Sequence, residues 1–508
     1  PRHHRSHLLH GFPLMLLFIV FAPLLTALLI LLGAPARLTA LLGSAATALA
    51  TLVALFLYQP AAGGFQFVSS FPISEAWRLQ FLLGADGLSL LMLFLAALVL
   101  LCAVWFTPPI EKSERLFYAC LLLVAGGAIG AFASLDLFFF YAFHELALIP
   151  TFLLIGIWGS GNRFAAAWKV TIYLGLGSFV LLLGLILLYR SVPPSLRSFD
   201  LRALQAVAAS GAIAASAQNQ IFFLLLIGFG VLISLFPFHT WAPEAYASAP
   251  APAAMLHAGV LKKFGLYGLL RVALPLLPEG AQHWNTLLIV LLLGNIIYVG
   301  LVTIAQKRLD WMLGYSSVMH MGYIFLGIAS ANLIGLNGAA LLMFAHGISI
   351  ALLFALAGEI RRRTGTLVLA DLGGLGKTMP FVGFAFGIAT FASIGLPGFA
   401  NFAAEVMVFF GAFRVGAGWT GFHIFQVATV LALWGVVISA VYMLRAYRAV
   451  FMGVPNERLA PSSDLAAGLR LPIILLIAAT VVVGFFPNTA LRLLRPTFLA
   501  PTAATTTR

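Results

Sequence analysis

The stretch LFFFYAFHELALIPTFLLIGIWG, residues 137–159, decides the fold class of this chain. It contains a single charged residue, Glu145, with mostly hydrophobic residues on both sides over more than two helical turns. A helix of about 20 apolar residues crosses the ~30 Å hydrocarbon core of a bilayer. The stretch is therefore predicted to be a transmembrane helix, and its acid cannot reach bulk water.

The composition extends this interpretation to the whole chain. Of 508 residues, 62% are hydrophobic and 8% are charged, whereas soluble domains carry roughly 25% charged residues. Apolar runs of similar length recur from end to end, which excludes a water-soluble fold and predicts an all-α polytopic membrane protein. Cys102 and Cys120 form no CxxC pair, so we expect no disulfide framework, zinc site or Fe–S cluster. Motifs for nucleotide binding and hydrolase chemistry are also absent from the sequence.

The basic residues indicate topology rather than nucleic-acid binding. The net charge is +13, but most lysines and arginines lie in short loops between apolar runs. More of them fall in the odd-numbered loops, which places those loops in the cytoplasm by the positive-inside rule. With an even number of spans, both termini are expected on the periplasmic side.

The apolar runs predict roughly fourteen spans, with boundaries good to a few residues. The first two cover about residues 12–32 and 38–58. A polar loop with Trp77, Arg78 and Asp86 follows. The later spans lie at about 88–107, 116–133 and 136–157 or start near 168, 220, 252, 284, 311, 335, 380, 425 and 470.

Two spans are predicted to be broken. The run from Ile221 to Ala251 is interrupted at Pro237, and the run from Phe391 to Phe413 is interrupted by GLPG at residues 395–398. Such breaks free backbone polar groups in mid-membrane, where they are tolerated only beside a polar cavity. A pair of broken helices is typical of transporters with an internal repeat and ion sites at the midplane. The alternative is two proline kinks without ion traffic.

Few ionisable residues lie inside the predicted spans, and each one is a functional candidate. A charge at the bilayer centre costs about 2.5–3.5 kcal/mol on insertion scales and marks ion pathways or proton relays. The candidates are Glu145, Glu405, Lys262 and Lys263. Adjacent helical residues project about 100° apart, so at least one lysine is expected to face a polar interior. The alternatives are protonated glutamates with one internal hydrogen bond, and lysines that anchor the span at an interface.

Four histidines extend this set: His239, His257, His320 and His346. They lack HExxH or a similar ligand spacing, which argues against a metal site. Imidazole titrates near neutral pH, so they fit the relay stations of a proton wire. The alternative for each is an ordinary hydrogen-bonded core histidine.

Six motifs carry a resemblance to a known family. They are GADGLSLL (84–91), HELALIP (144–150), the block FHTWAPEAYASAPAPAAMLHAGVLKKFGLYGLLR (238–271), YSSVMHMGY (315–323), MFAHGISIALLF (343–354) and LPGFANFAAEVMVFFGAF (396–413). In this order, over roughly residues 80–415, the chain resembles the antiporter-like subunits of respiratory complex I. The likeness is closest to the M-type subunits, because Glu405 stands where the L and N types typically carry a lysine.

The resemblance implies an architecture and a function. It implies two inverted five-span repeats, residues 116–280 and 281–452, between N-terminal helices (1–115) and a C-terminal helix and tail (453–508). It also implies a bacterial inner-membrane pump module without a cofactor of its own. FMN, Fe–S clusters and quinone would belong to partner subunits. The expected neighbours are the L-, N-, K-, J-, A- and H-type subunits and lipids, with no nucleic acid.

The resemblance also implies roles for individual residues. Glu145 matches the glutamate of the fifth span and Lys263 the central lysine of the eighth. His320 and His346 match the histidines of the tenth and eleventh spans, and Glu405 matches the terminal acid of the twelfth. In such subunits, redox energy released elsewhere drives protonation changes along this row.

Two positions depart from the family pattern. Members of this type pair the fifth-span glutamate with a lysine in the broken seventh span, in a pattern of approximately KxPxxPxH. Here the sequence is LISLFPFH, which puts Leu232 in place of that lysine. Either Lys262 substitutes for the missing charge, or the switch between the fifth and seventh spans is absent. The tenth span also begins with Asp310 and Trp311 where the family commonly shows Lys-Arg.

Three other functions stay open at this point. The first is a component of a cation/proton antiporter, which a lysine in place of Glu405 would have favoured. The second is the membrane arm of a hydrogenase or photosynthetic relative of complex I, which takes electrons from another donor. The third is a structural spacer that no longer pumps, because Leu232 replaces the lysine of the family.

Overall fold

The computed structural model describes residues 14–416, 421, 423–456, 459 and 463–499. Twelve helices of this described part are long and apolar enough to cross a membrane, which confirms the prediction of an all-α multi-pass membrane protein. They are Leu14–Leu31, Ala36–Leu57, Gly87–Phe106, Glu114–Ala133, Leu137–Trp158, Arg163–Ser191, Ala215–Ile233, Pro278–Ala305, Leu309–Ala329, Leu333–Thr364, Ile424–Phe451 and Ala467–Phe485.

Two more segments reach membrane length with interruptions. The first runs through Ala251–Leu256, a π turn at His257–Leu261, Lys263–Gly268, a second π turn at Leu269–Ala273 and Leu274–Leu276. The second consists of Pro380–Ile394 and Ala400–Arg414. For brevity, spans keep the numbers predicted above, so these segments are the eighth and the twelfth. The total of fourteen, the inverted repeats and the four-part division of the chain stay predictions.

Both predicted helix breaks are present. In the seventh span, the first helix, Ala215–Ile233, ends before Pro237, and a second helix, Trp241–Ser248, follows. In the twelfth, the helix ends at Ile394 and the next begins at Ala400. The fifth span also bends, because Ala147 separates Leu137–Leu146 from Leu148–Trp158.

Asn295 forms hydrogen bonds with backbone groups that the break in the seventh span leaves without helical partners. Its Oδ1 accepts a hydrogen bond from the Phe236 N–H at 2.7 Å. Its Nδ2 donates to the carbonyls of Ser234 at 3.0 Å and Val318 at 2.9 Å. Asn295 lies in a π turn, Gly294–Val299, of the ninth span, so a single amide ties the seventh, ninth and tenth spans together.

The segment expected to be a polar loop between the second and third spans folds differently. It forms a hairpin of two antiparallel strands, β1 (Gln66–Ser74) and β2 (Leu79–Ala85). Strand β2 is covered on both faces, because Leu82 and Leu83 point to opposite sides of the strand and are both fully buried. Short elements outside the predicted spans are the helices Leu201–Ala209, Leu375–Thr378 and Asn488–Phe498 and the 3-10 turns Pro60–Ala62 and Pro194–Leu196.

Four helices form the interior of the molecule. In one apolar 18-residue stretch of each helix, 89% of the residues are buried in Gly87–Phe106 and in Glu114–Ala133, 94% in Leu309–Ala329 and all in Leu333–Thr364. In the helix Ala36–Leu57, by contrast, only 28% of such a stretch is buried, and the helix presents an apolar outer face. Because His320 and His346 lie on the two most buried helices, their side chains occupy the centre of the protein rather than its lipid-facing surface.

A buried ion pair joins the third and eighth spans at one end of this interior. Arg271, in the second π turn, lies 2.5 Å from Asp86, and both side chains are only 6% exposed. Asp86 also caps the third span, because its carboxylate accepts a hydrogen bond from the Ser89 N–H at 3.0 Å. The guanidinium stacks over the rings of Tyr267 and Phe65. This pair anchors the eighth span, which carries both candidate lysines.

Candidate functional site

Lys263 is fully buried at the middle of the eighth span. Its Nζ donates a hydrogen bond to the Ala258 carbonyl at 2.7 Å and lies 3.0 Å from Nδ1 of His346. Ala258 belongs to the first π turn, so the irregular helix supplies the acceptor for this lysine. No carboxylate of a described residue forms an ion pair with Lys263. The lysine is therefore held by a carbonyl and an imidazole rather than by a counter-charge.

Lys262 projects away from its neighbour, as the 100° spacing predicts. Its Nζ lies 3.5 Å from the Ser317 hydroxyl of the tenth span and 5.5 Å from the ring centroid of Tyr246. The Tyr246 hydroxyl in turn lies 3.4 Å from Nδ1 of His257. We call Tyr246, His257 and Lys262 the loading cluster; each of the three is at most 6% exposed.

The two central histidines continue from Lys263 toward the broken twelfth span. The rings of His346 and His320 lie 5.5 Å apart between centroids. His320 Nδ1 is 2.8 Å from the Ser316 carbonyl, and Nε2 is 2.9 Å from the Ser393 carbonyl. An imidazole can donate to two carbonyls only when both nitrogens carry protons. In a neutral His320, only one of these two contacts is therefore a hydrogen bond.

Glu405 lies at the far side of the twelfth-span break. Its side chain is buried, and its carboxylate packs directly against Gly395, where an added methyl group would collide with it. Gly395 follows Ser393 by two residues, so the break connects His320 to the acid. We call Lys263, His346, His320 and Glu405 the central row.

Several buried polar atoms beside the central row have no hydrogen-bond partner among the described residues. They are Nε2 of His346, the hydroxyls of Tyr323 and Thr390, both amide atoms of Asn401 and Oε1 of Glu405. Buried polar atoms are normally paired with protein groups or with ordered water. This cluster is therefore suited to a hydrated path between the histidines and the acid.

Glu145 and His239 lie outside these contacts. Glu145 is only partly buried and accepts a hydrogen bond from Ser178 of the sixth span. His239 stacks on Phe236, just after the seventh-span break. Leu232 is buried where the family lysine is expected. Lys262 forms no ion pair with Glu145, so it does not replace that lysine as the partner of the glutamate.

Sequence reasoning missed two residues that contact or adjoin the site. His144 directly precedes Glu145 in the chain and is buried. Its ring stacks on that of Phe264 with the centroids 4.0 Å apart, and neither ring nitrogen has a hydrogen-bond partner among the described residues. Tyr246 contacts both His257 and Lys262. The signal for His144 was its place in the same apolar run as Glu145; for Tyr246, no sequence pattern distinguishes it from a core tyrosine.

Asp310 has a structural role that accounts for its departure from the family pattern. Its carboxylate pairs with Arg308 at 2.8 Å and with Arg361 of the eleventh span. The pair fixes the start of the tenth span to the end of the eleventh. The neighbouring Trp311 packs against Tyr315, with ring centroids 6.2 Å apart. Within the described residues, no group of three histidine, cysteine or acidic side chains could hold a metal ion.

Comparison with known proteins places this site in a family. Residues 134–432 match the family model described as NADH:quinone oxidoreductase/Mrp antiporter, transmembrane. This chain belongs to that family. The family region contains all eight residues named as candidates from the sequence, and the resemblance found there is confirmed.

Relatives within this family are similar over most of the chain. NADH-quinone oxidoreductase subunit M of Rickettsia felis is 33% identical, covering 94% of this chain and 96% of the relative. NAD(P)H-quinone oxidoreductase chain 4 2 of Synechococcus sp. strain JA-3-3Ab is 38% identical, covering 80% and 75%.

Solved structures agree with this assignment. Respiratory complex I from Thermus thermophilus with bound NADH contains a chain with a TM-score of 0.85 and 29% identity, covering 95% of this chain and 98% of that one. The Mrp complex from Dietzia sp. DQ12-45-1b matches with a TM-score of 0.81 and 21% identity, covering 96% of both chains. At that identity the second match concerns the fold alone.

Proposed function

We propose that this chain is the M-type proton-translocating membrane subunit of an NADH:quinone oxidoreductase. Electron transfer in partner subunits drives protons along the central row, and this chain holds no redox centre. The observation that carries the proposal is the contact between Lys263 Nζ and His346 Nδ1 at 3.0 Å, in the buried centre and without an acidic ion-pair partner in the described part of the chain. Two bases that share one proton in a low-dielectric site are the arrangement that a proton wire requires.

The chemistry of the row follows from its acceptors. In the protonated state, the Lys263 ammonium donates to the Ala258 carbonyl and to His346 Nδ1. Transfer of that proton to Nδ1 leaves a neutral amine and an imidazolium, whose Nε2 proton can be passed on toward His320. His320 then carries the proton to the twelfth-span break beside Glu405. Each transfer moves one positive charge, so a charge change at one end biases the protonation of the other end.

The partners and location follow the family. We propose that the flavin, the Fe–S clusters and the quinone site belong to other subunits, and that this chain packs in the membrane arm beside L-, N-, K-, J-, A- and H-type subunits and lipids. We place it in a bacterial inner membrane with both termini in the periplasm. The apolar outer faces of the peripheral helices provide surface for such neighbours, as Trp434 and Phe410 are about 60% exposed.

The test is to purify this chain from its native membranes in mild detergent and identify what is bound to it. Copurification of flavin- and Fe–S-bearing subunits, together with NADH-driven quinone reduction, is the expected result. A partner set of small membrane proteins without redox centres would overturn the proposal and favour the cation/proton antiporter. A hydrogenase among the partners would instead indicate the membrane arm of a hydrogenase that is related to complex I.

A further inference from the structure

A large cavity leads from one surface of the protein toward the buried lysines. It has a volume of about 470 Å³. Its wall includes exposed loop residues such as Pro108 and Ser160 and the buried residues Tyr246 and Phe354. The lining is mainly apolar, with the charged residues Arg37, Asp310, Glu359, Arg361 and Arg362 among it. The volume is large enough for several water molecules, which those charged side chains can hydrate.

Tyr246 separates this cavity from the buried bases. A second cavity, of about 10 Å³, is lined by Tyr246, His257 and Thr151 and offers roughly the room of one water molecule. Tyr246 lines both cavities, whereas His257 lines only the small one. A proton that enters from the large cavity therefore meets the phenol of Tyr246 before it meets His257.

The contacts of Tyr246 on the buried side fit proton transfer. Its hydroxyl lies 3.4 Å from Nδ1 of His257, and Nζ of Lys262 lies 5.5 Å from its ring centroid. Nε2 of His257 has no partner among the described residues. Tyr246 thus lines a cavity open to the surface and also contacts two bases, His257 and Lys262, that do not line this cavity.

We propose that Tyr246 is the proton gate between the large cavity and the loading cluster, and that His257 and Lys262 receive the proton there before it reaches the central row. In one step, the phenol gives its proton to unprotonated Nδ1 of His257 and takes a proton from a hydronium ion in the cavity, which becomes a neutral water. Tyrosine is neutral before and after, and one proton has moved inward. This inference rests on the proposed function and assigns proton loading to this cluster rather than to Glu145, which contacts Ser178.

The first test compares Tyr246→Phe with Tyr246→His in the purified complex, reconstituted in liposomes. The phenylalanine keeps the ring but removes the transferable proton, so protons taken up per NADH oxidised should fall as far as in Lys263→Met. The histidine carries a transferable proton and should restore most of this ratio. Tyr118→Phe is the matched control, since Tyr118 is equally buried and its hydroxyl contacts no residue of the site.

The cluster makes a second, independent prediction. Lys262→Met and His257→Leu should each lower the ratio nearly as much as Lys263→Met. If Lys263→Met lowers the ratio but Tyr246→Phe, His257→Leu and Lys262→Met leave it unchanged, the gate is wrong and the proposed function stands. If Lys263→Met has no effect either, the proposed function itself fails.

A labelling experiment covers the case in which Tyr246→Phe fails to assemble. The variant Ala251→Cys, in the cavity wall, should react with a charged, membrane-impermeant thiol reagent from one side only, and the attached group should block proton uptake. Ser210→Cys, in an exposed loop away from the cavity, is the control that should react without loss of uptake. Full uptake after complete labelling of Ala251→Cys would contradict access through the cavity.

Discussion

Nζ of Lys263 lies 3.0 Å from Nδ1 of His346, while Nε2 of the same imidazole has no partner among the described residues. In the proposed function, the histidine receives a proton on one nitrogen and releases one from the other. That role requires a lysine that can lose its proton, and it requires Lys263 to keep both the Ala258 carbonyl and the imidazole within reach. The predictions below separate these requirements.

Lys263→Arg should abolish the contribution of this chain to pumping as fully as Lys263→Met does. The guanidinium keeps the positive charge, but it stays protonated at any pH a protein experiences. The measurement is the number of protons taken up per NADH oxidised by liposomes that contain the variant complex. Normal pumping by Lys263→Arg would show that a fixed charge suffices and that Lys263 does not itself exchange a proton.

Gly395→Ala should damage the Glu405 end of the row. Gly395 has φ +78°, a conformation that costs other residues about 1–2 kcal/mol, and the new methyl group would collide with the Glu405 carboxylate. We expect lower proton uptake with retained NADH oxidation when the uncoupler is present. Gly387→Ala is the control, since a methyl group there meets the Tyr447 ring at ordinary contact distance. Equal loss of proton uptake in both variants would mean that the effect of Gly395→Ala does not come from its contact with Glu405.

Glu145→Gln should reduce pumping less than Lys263→Met. Its carboxylate contacts Ser178 at a partly exposed position and touches no member of the central row. Ser178→Ala should have an effect no larger than that of Glu145→Gln, because the Ser178 hydroxyl bonds to Glu145 and Tyr141 and to no member of the central row. The measurement is again the number of protons taken up per NADH oxidised. A complete loss of uptake in Glu145→Gln would mean that the fifth-span acid is essential even though Leu232 replaces its family partner, the seventh-span lysine.

Arg271→Leu should destabilise the eighth span. It leaves Asp86 as an unpaired buried carboxylate, which typically costs about 3–5 kcal/mol. We expect less assembled complex in membranes and a lower temperature of dissociation for what does assemble. The double variant Asp86→Asn with Arg271→Leu should recover part of this loss, because it removes the unpaired charge. No recovery in the double variant would place the effect in packing around Tyr267 rather than in the ion pair.

Asp136→Asn should stabilise the protein above pH 6. Asp136 precedes the fifth span, and burial raises the pKa of its carboxyl to about 6. Because the folded pKa exceeds the ordinary value of 3.8, the acid lowers stability as pH rises from about 4 to 6, by at most about 3 kcal/mol. The asparagine can still accept from the Phe138 N–H. Dissociation temperatures of the two complexes should differ at pH 8 and converge near pH 4.

Much of the fold could be predicted from the sequence because apolar runs of membrane length leave few alternatives. The breaks at Pro237 and Gly395 were also predictable, since backbone polar groups freed in mid-membrane need a polar interior. The hairpin β1–β2 was not predicted: Trp77 and Arg78 indicated a loop and do lie in the turn, but the strands on either side of that turn were not recognised.

The site was predictable as a set of residues and not as a set of contacts. Buried charges are rare enough that Lys262, Lys263 and Glu405 stood out by type alone. Their partners depend on helix rotation and packing, which a sequence does not specify. The π turn that brings Ala258 to Lys263, and the placement of Tyr246 between cavity and base, leave no sequence signal.

The most direct test of the central claim is the number of protons translocated per NADH oxidised by the complex carrying Lys263→Met. Lys112→Met, at an exposed loop lysine, is the matched control. The account predicts a lower ratio for Lys263→Met at equal content of assembled complex and an unchanged ratio for the control. An unchanged ratio in both would contradict it, because protons would then cross the membrane arm without the buried lysine of this chain.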